Sequence, residues 1–264
     1  MILVTGASGF VGGRILNTCP GTVASPSLRG MTEDEVRRIV LKSGVDTVIH
    51  TAAISDIGVC QADPEASYEA NVMLPIYLAR ASKAAGVKLI CFSSDQVYGA
   101  SPKVGPYSEG DECPGNIYAE HKLEMERRVL DILPGSVMLR AEWMYDLYDK
   151  KPNYFMNVTF AVSPISFSSS QYRGLTYVKE VAENMEKVIL LPGGAYNFGS
   201  ETASSMYEIT KGYLSDIGRS VELLDSQPRH NLWMNCDKAR GYGVRFSSVE
   251  DALRRCARDY GYLV

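Results

Sequence analysis

The sequence has no run of about 18 apolar residues, the length a membrane-crossing helix requires. Its six cysteines (Cys19, Cys60, Cys91, Cys113, Cys236 and Cys256) include no Cys-x-x-Cys pair, which argues against a zinc site or a disulfide framework and for reduced thiols. No large excess of either charge is present. A net charge of -4 and a pI near 5.5 set up no general field for nucleic acid or an anionic membrane, so a phosphate-bearing ligand must be held locally. Strand-like Ile2-Leu3-Val4 follows Met1 at once, leaving no room for the charged and apolar regions of a signal peptide, and the expected location is cytoplasmic. Internal repeats are also lacking.

What remains is a chain of 264 residues with 45% hydrophobic content, enough to bury a core as one domain or as a large domain with a small lobe. Its first segment reads strand, glycine loop, helix: Ile2-Leu3-Val4-Thr5, then Gly6-Ala7-Ser8-Gly9-Phe10-Val11-Gly12, then Gly13 to Leu16. Glycines let a backbone turn sharply and approach a pyrophosphate, whose charge meets the free N–H groups of the helix N-terminus. In that context the loop favours dinucleotide binding over a bare structural turn.

Gly21 to Ala24 is the expected second strand, and no acid stands at its end, where NAD-preferring folds place one for the ribose hydroxyls. The run is Ala24-Ser25-Pro26-Ser27-Leu28-Arg29, and Arg29 is available to pair with a 2′-phosphate, so NADP(H) is favoured over NAD(H). Glu33, Asp34 and Glu35 do not supply the missing acid, because Thr32 with Glu35 forms a capping box for a helix to Val40. A third strand, Val45 to His50, ends in the small residues Thr51, Ala52 and Ala53, which suit either a close cofactor or a tight strand-helix junction. Asp63-Pro64-Glu65 starts a long helix to about Ala85 that carries the polar Asn71.

Lys88 to Phe92 reads as a buried strand delivering Ser93, Ser94 and Asp95 at its carboxyl end, the edge where open α/β sheets bind ligands. A loop rich in Gly, Pro and Ser follows from Gly99 to Pro114. Tyr118 and Lys122 then lie at i and i+4 on a helix to Ile132, so both project from one face. A nearby cation favours a phenolate and brings the phenol toward working range. A packed ring beside a solvated amine explains the same spacing when it is taken alone.

Together these residues resemble the extended short-chain dehydrogenase/reductases, in the branch similar to dTDP-4-dehydrorhamnose reductases. The resemblance rests on the Gly6, Gly9, Gly12 loop, His50-Thr51-Ala52-Ala53, Ser94 to Tyr98, Tyr118 with Lys122, and Arg140-Ala141-Glu142-Trp143-Met144-Tyr145. It implies a catalytic triad of Ser94, Tyr118 and Lys122. It also implies a cofactor held by Gly6, Gly9, Phe10, Val11, Gly12, Arg29, Ala52, Ala53 and Lys122, and a nucleotide-sugar substrate met by Ser94, Asp95 and Trp143. Arg14 stands where some of these reductases carry an acid of a magnesium site, so no metal is expected. The segment between Gly12 and Thr32 is shorter than in the family, and Met31 replaces an aspartate common near the adenine. A homodimer through the helices bearing Ala66 to Ala81 and Tyr118 is implied as well, although packing against the sheet explains those residues equally.

The expected fold is α/β: a Rossmann-type doubly wound parallel sheet over residues 1–142, with a small α+β substrate lobe over 143–264 partly interleaved with it. Strand Ser136 to Leu139 leads to this lobe, and a short helix starts at Asn153 to Phe155. Ser163 to Val178 reads as a solvated or specificity loop. Helices over Tyr177 to Leu191, Ser204 to Asp216 and Ser247 to Tyr260 alternate with strands Gly194 to Phe198 and Val221 to Leu224. Among the family's reactions, dehydration needs an acid pair after the catalytic hydroxyl, and here Gln96 follows Asp95. Epimerases carry a larger lobe. Reduction of a keto sugar by NADPH leads, with an epimerase or a non-catalytic, reductase-like regulatory subunit as the alternatives.

Overall fold

The computed structural model of the chain describes residues 1–148, 151–227 and 230–263. Strand β1 (Ile2–Thr5) enters the glycine turn and leaves as helix α1 (Phe10–Thr18). After β2 (Thr22–Ala24), helix α2 (Glu33–Ser43) starts on the Thr32 cap with both bonds of the capping box made and ends at Gly44, whose φ of 62° suits a left-handed cap. Then come β3 (Thr47–His50), α3 (Ile57–Ala62), α4 (Pro64–Tyr68), α5 (Leu74–Ala85), β4 (Lys88–Ser94), α6 (Ile117–Ile132) and β5 (Val137–Ala141).

The helix expected from Asp63 to Ala85 starts on its cap, the Asp63 carboxylate accepting from the Ala66 N–H, but it is interrupted at Glu69–Met73 by a π turn. Pro75 has no N–H to give the Asn71 carbonyl, and the ladder shifts register, the Leu74 N–H reaching back to the Glu69 carbonyl. The amide of Asn71 is thereby turned inward. It accepts from the Ile54 N–H at 3.1 Å and donates to the Ile54 carbonyl at 2.9 Å, clamping the segment that leaves β3.

The chain continues through β6 (Trp143–Tyr145), α7 (Tyr154–Thr159), β7 (Ile165–Phe167), β8 (Leu175–Tyr177), α8 (Val178–Glu183), α9 (Met185–Ile189), β9 (Gly194–Phe198), α10 (Met206–Asp216), β10 (Leu223–Asp225), α11 (Asp237–Gly241) and α12 (Val249–Asp259). The parallel main sheet runs β2-β1-β3-β4-β5-β9, the doubly wound α/β architecture the sequence implies. Both of its faces are covered, so successive residues go to opposite cores. Leu3, Val48 and Leu89 join the layer under α2, α5 and α6, whereas Val4, Ile49 and Ile90 join the layer with Ile15 of α1. The lobe has its own aromatic core, including Tyr145, Tyr154, Phe155, Tyr177 and Tyr213.

The expected helix from Tyr177 to Leu191 is broken at Asn184, whose amide pairs with both backbone groups of Arg245. Val181, Met185 and Val188 from the two halves pack on the main sheet rather than in the lobe. The Ser163 to Val178 stretch holds two short strands, β7 and β8, and Ser168 within it is buried. No helix among the described residues is long and apolar enough to cross a membrane.

Candidate active site

Strand register brings the carboxyl ends of the sheet level: Thr5 beside His50, His50 beside Cys91, and Ser94 beside Ala141. At the first of these ends Gly6 has φ of 72° and tolerates no side chain, since a Cβ there would lie 2.7 Å from the Ala52 nitrogen and 2.8 Å from Thr51 Oγ1. A Cβ on Gly12 would come within 2.3 Å of the Gly6 carbonyl oxygen. The loop is therefore folded against the exit of β3, with Thr51 locking it by donating to the Thr5 carbonyl at 2.8 Å.

Gly9 caps α1 with no side-chain bond, and no acid occupies the first turn. The N–H groups of that helix end thus suit a pyrophosphate. Phe10 and Val11 open the helix half-buried, and Ala52 and Ala53 follow β3, Ala53 exposed. Arg29 lies apart on the exposed loop after β2, with no ion pair among the described residues.

Asn116 caps α6 by accepting from the Ala119 N–H, and the helix carries Tyr118 and Lys122 onto the end of β4. Tyr118 is 7% exposed, Ser94 6% and Lys122 2%. Ser94 Oγ donates to Asp95 Oδ1 at 3.1 Å and accepts from the Gln96 N–H at 3.2 Å. Lys122 Nζ donates to the Phe92 carbonyl at 2.8 Å and lies 5.8 Å from the centre of the Tyr118 ring.

The expectation that Lys122 draws the phenol toward neutral pH is corrected here. Burial pushes the Tyr118 phenol well above its ordinary range, against the pull of a Ser94 hydrogen bond and with the Asp95 carboxylate adding to the rise. Tyr118 is a neutral, proton-bearing phenol, the form that a proton donor requires. Burial also lowers the Lys122 ammonium to about 8, opposed by Cys91, Glu126 and Cys60. Its remaining donors suit ribose hydroxyls.

His50 closes the site from below. It is fully buried, its Nδ1 is 2.6 Å from Thr5 Oγ1, and its Nε2 meets no partner among the described residues. Burial, helped by the Lys122 ammonium, lowers its imidazole to about 3. The unfolded chain takes up this proton near the ordinary value of 6.5 and the folded chain refuses it until about 3, so stability is lost as pH falls through that window. Urea midpoints at pH 7 and pH 5 are expected to differ more in the wild type than in His50→Gln; equal differences would place the proton elsewhere.

On the substrate side the structure joins the expected Asp95 and Trp143 to Arg173 and Glu142, to which the sequence reading gave no role of their own. Asp95 is paired with Arg173 at 2.9 Å, and the Arg173 guanidinium lies over the Trp143 ring at 5.1 Å. One face of Trp143 is thereby occupied, and its edge meets Tyr154. Glu142 sits where β5 gives way to β6, so close to Gly174 and Gly199 that a Cβ on either would lie 2.0 to 2.1 Å from its carboxylate. Its Oε2 accepts from Thr176 at 3.0 Å and its Oε1 has no partner among the described residues. Burial, then the nearby Asp95, raises the Glu142 carboxyl well above its usual range.

Arg14 is turned toward the lobe, its Nε 3.3 Å from the fully buried Asp146 and its guanidinium over Tyr148. Among the described residues no three His, Cys, Asp or Glu side chains gather as a metal would need.

A family model described as the RmlD substrate binding domain matches residues 1–231. The dTDP-4-dehydrorhamnose reductase of Mycolicibacterium smegmatis is 34% identical over 151 residues, covering 54% of this chain and 46% of that protein, so the match spans about half of either. The methionine adenosyltransferase 2 subunit beta of Pongo abelii is 28% identical over 279 residues, covering 92% of this chain and 82% of that one. Among solved structures, the dTDP-4-dehydrorhamnose reductase of Bacillus anthracis in complex with NADP superposes with a TM-score of 0.84 at 21% identity, covering 98% of each chain. At that identity the likeness is one of fold.

Proposed function

For a chain that belongs to the family of the RmlD substrate binding domain, within the extended short-chain dehydrogenases/reductases, we propose an NADPH-dependent reductase of a keto group on a nucleotide sugar. The observation that carries this reading is the convergence of a neutral Tyr118, Ser94 and the buried Lys122 at the end of β4, on the same sheet edge as the glycine cradle. Residues 1–142 make the cofactor side in this reading and 143–264 the substrate lobe.

The dinucleotide would lie with its pyrophosphate on Gly6, Gly9 and Gly12 and the N-terminus of α1, with Phe10, Val11, Ala52 and Ala53 along it and Lys122 on its ribose. When bound it supplies a hydride. Ser94 holds the substrate oxygen, and Tyr118 gives that oxygen its proton. The Lys122 ammonium, 5.8 Å from the centre of the Tyr118 ring, offsets part of the cost of the phenolate left behind without bringing the phenol to neutral pH, since an unpaired charge at this depth is costly. Placing donor and oxygen together removes the need for a chance encounter.

Screening 4-keto nucleotide sugars for NADPH oxidation tests the reading; no turnover across the panel with NADPH bound would remove it. Arg29 is assigned to the 2′-phosphate. Hydrogen bonds to charged groups contribute about 1.5–3 kcal/mol, so Arg29→Ala is expected to weaken NADPH roughly tenfold or more and to leave NADH unchanged. Fluorescence titration of both cofactors measures this, and preference for NADH in the wild type would refute it. The site is proposed to need no divalent ion, Arg14 being engaged with Asp146 within the chain. Activity lost to EDTA would overturn that.

A second reading, a reductase-like subunit that binds rather than turns over, is favoured by the likeness to the methionine adenosyltransferase subunit over 92% of this chain. The short segment between Gly12 and Thr32 points the same way. Failure to bind either cofactor would promote it.

A further inference from the structure

Arg173 belongs to the lobe, yet its charge ends on the residue next to Ser94. Its backbone is fixed from two sides: it bridges to Leu232, and its neighbour Tyr172 accepts from the Leu232 N–H at 3.0 Å, donates to Asn231 Oδ1 at 2.9 Å and stacks on Trp233. The side chain, 16% exposed, reaches across Trp143 to Asp95 Oδ2. Asp95 is 3% exposed, and its other oxygen accepts the hydrogen bond of the Ser94 hydroxyl. Lobe, carboxylate and hydroxyl thus form one chain of contacts: Trp143, Arg173, Asp95, Ser94.

We propose that Arg173 is a positioning residue for the reaction, holding Asp95 as a carboxylate whose Oδ1 accepts from Ser94 and so fixes that hydroxyl at the end of β4 until an arriving substrate oxygen takes over the Ser94 hydrogen bond. The proposal rests on the reductase reading for its consequence, though not for its geometry. A serine hydroxyl has one proton and can accept through its lone pairs. If Asp95 is an acceptor, Ser94 must donate to it. If Asp95 carries a proton, it becomes a donor and the bond to Ser94 reverses.

Which state holds depends on the charges around a buried carboxyl. Those facing Asp95 are Arg173 from the segment before β8, His230 from the segment after β10, Glu142 between β5 and β6, and Tyr118 on α6. Burial favours the protonated acid and Glu142 is of like sign, whereas Arg173 is the first of the opposing influences, followed by the Ser94 bond and His230. Without Arg173, Asp95 is left buried without its ion-pair partner, and taking up a proton is the least costly response.

The test is the protonation of Asp95, followed by its carbonyl carbon-13 resonance in protein labelled at aspartate and assigned with Asp95→Asn. In Arg173→Met the Asp95 titration is expected to move upward by one pH unit or more, and Arg173→Lys is expected to restore most of the shift. An Asp95 titration that stays at its wild-type position in Arg173→Met overturns the proposal. This measurement needs no substrate, so it decides the proposal even if the chain turns over nothing, an outcome that would remove the reductase reading alone. Where a substrate is found, kcat of Arg173→Met is expected to fall tenfold or more with NADPH affinity unchanged; an unaltered kcat would equally overturn it. Should Arg173→Met fail to fold, Arg173→Gln decides, since it keeps a polar stem without the charge and must move the Asp95 titration upward; no shift overturns the proposal.

Discussion

Replacing Tyr118 by phenylalanine is expected to lower ketone reduction by about 100-fold to 10,000-fold, the usual contribution of a positioned general acid, while leaving NADPH affinity almost unchanged. The ring stays: Tyr118 is buried, and phenylalanine fills the same space with the loss of one hydroxyl. What is lost is the proton. The phenol is held neutral by burial, and its replacement removes the donor outright. Lys122→Met is expected to harm both steps, because the same ammonium is assigned to the ribose and to the phenolate. Turnover above a tenth of wild type in Tyr118→Phe would withdraw the triad assignment and the mechanism with it.

Local signals led correctly to several parts of this molecule. The glycine loop lay between a strand and a helix, Thr32 with Glu35 marked a helix start, and Tyr118 with Lys122 lay one helical turn apart. Each is a short-range pattern whose physical cause lies within a few residues. The role first given to Lys122 was not readable in the same way. Spacing puts its stem beside the Tyr118 ring, but the direction of its ammonium is set by the Phe92 carbonyl on another element.

The ion pair of Arg173 with Asp95 spans 78 residues and leaves no local trace, and the same holds for Glu142 between its two glycines. Helix α3 did carry a signal that was passed over: Asp56 caps it, accepting from the Val59 N–H at 2.9 Å. The break at Asn184 depends on Arg245, again a distant partner.

Arg140→Met is expected to cost about 3–5 kcal/mol of stability, the range for removing one partner of a buried ion pair. The guanidinium is 3% exposed and donates to both oxygens of Glu126, at 3.0 Å and 2.6 Å, to the Tyr98 hydroxyl at 2.8 Å, and pairs with Glu112 at 2.5 Å. Glu126 is equally buried and also accepts from Ser93, the neighbour of Ser94. Tyr98 passes the network to Asn197 of β9 at 2.6 Å. One cation thus ties β4, α6, β5 and β9 together directly beneath the catalytic hydroxyls.

Methionine replaces the stem but strands two carboxylates, and the cost is that of an unpaired buried charge rather than of lost volume. This distinction has a pH signature. In the variant the buried Glu126 has lost its cation and the folded chain favours its protonated form, so the stability it contributes is present at low pH and lost as pH rises. The deficit relative to wild type is therefore expected to shrink as pH is lowered from 7 toward 5, and Glu126→Gln in the Arg140→Met background is expected to recover part of it at pH 7. Urea unfolding at the two pH values measures both. A deficit below about 1 kcal/mol, the range of an exposed pair, or one that does not change with pH, would mean that Arg140 packs against the sheet without holding these charges.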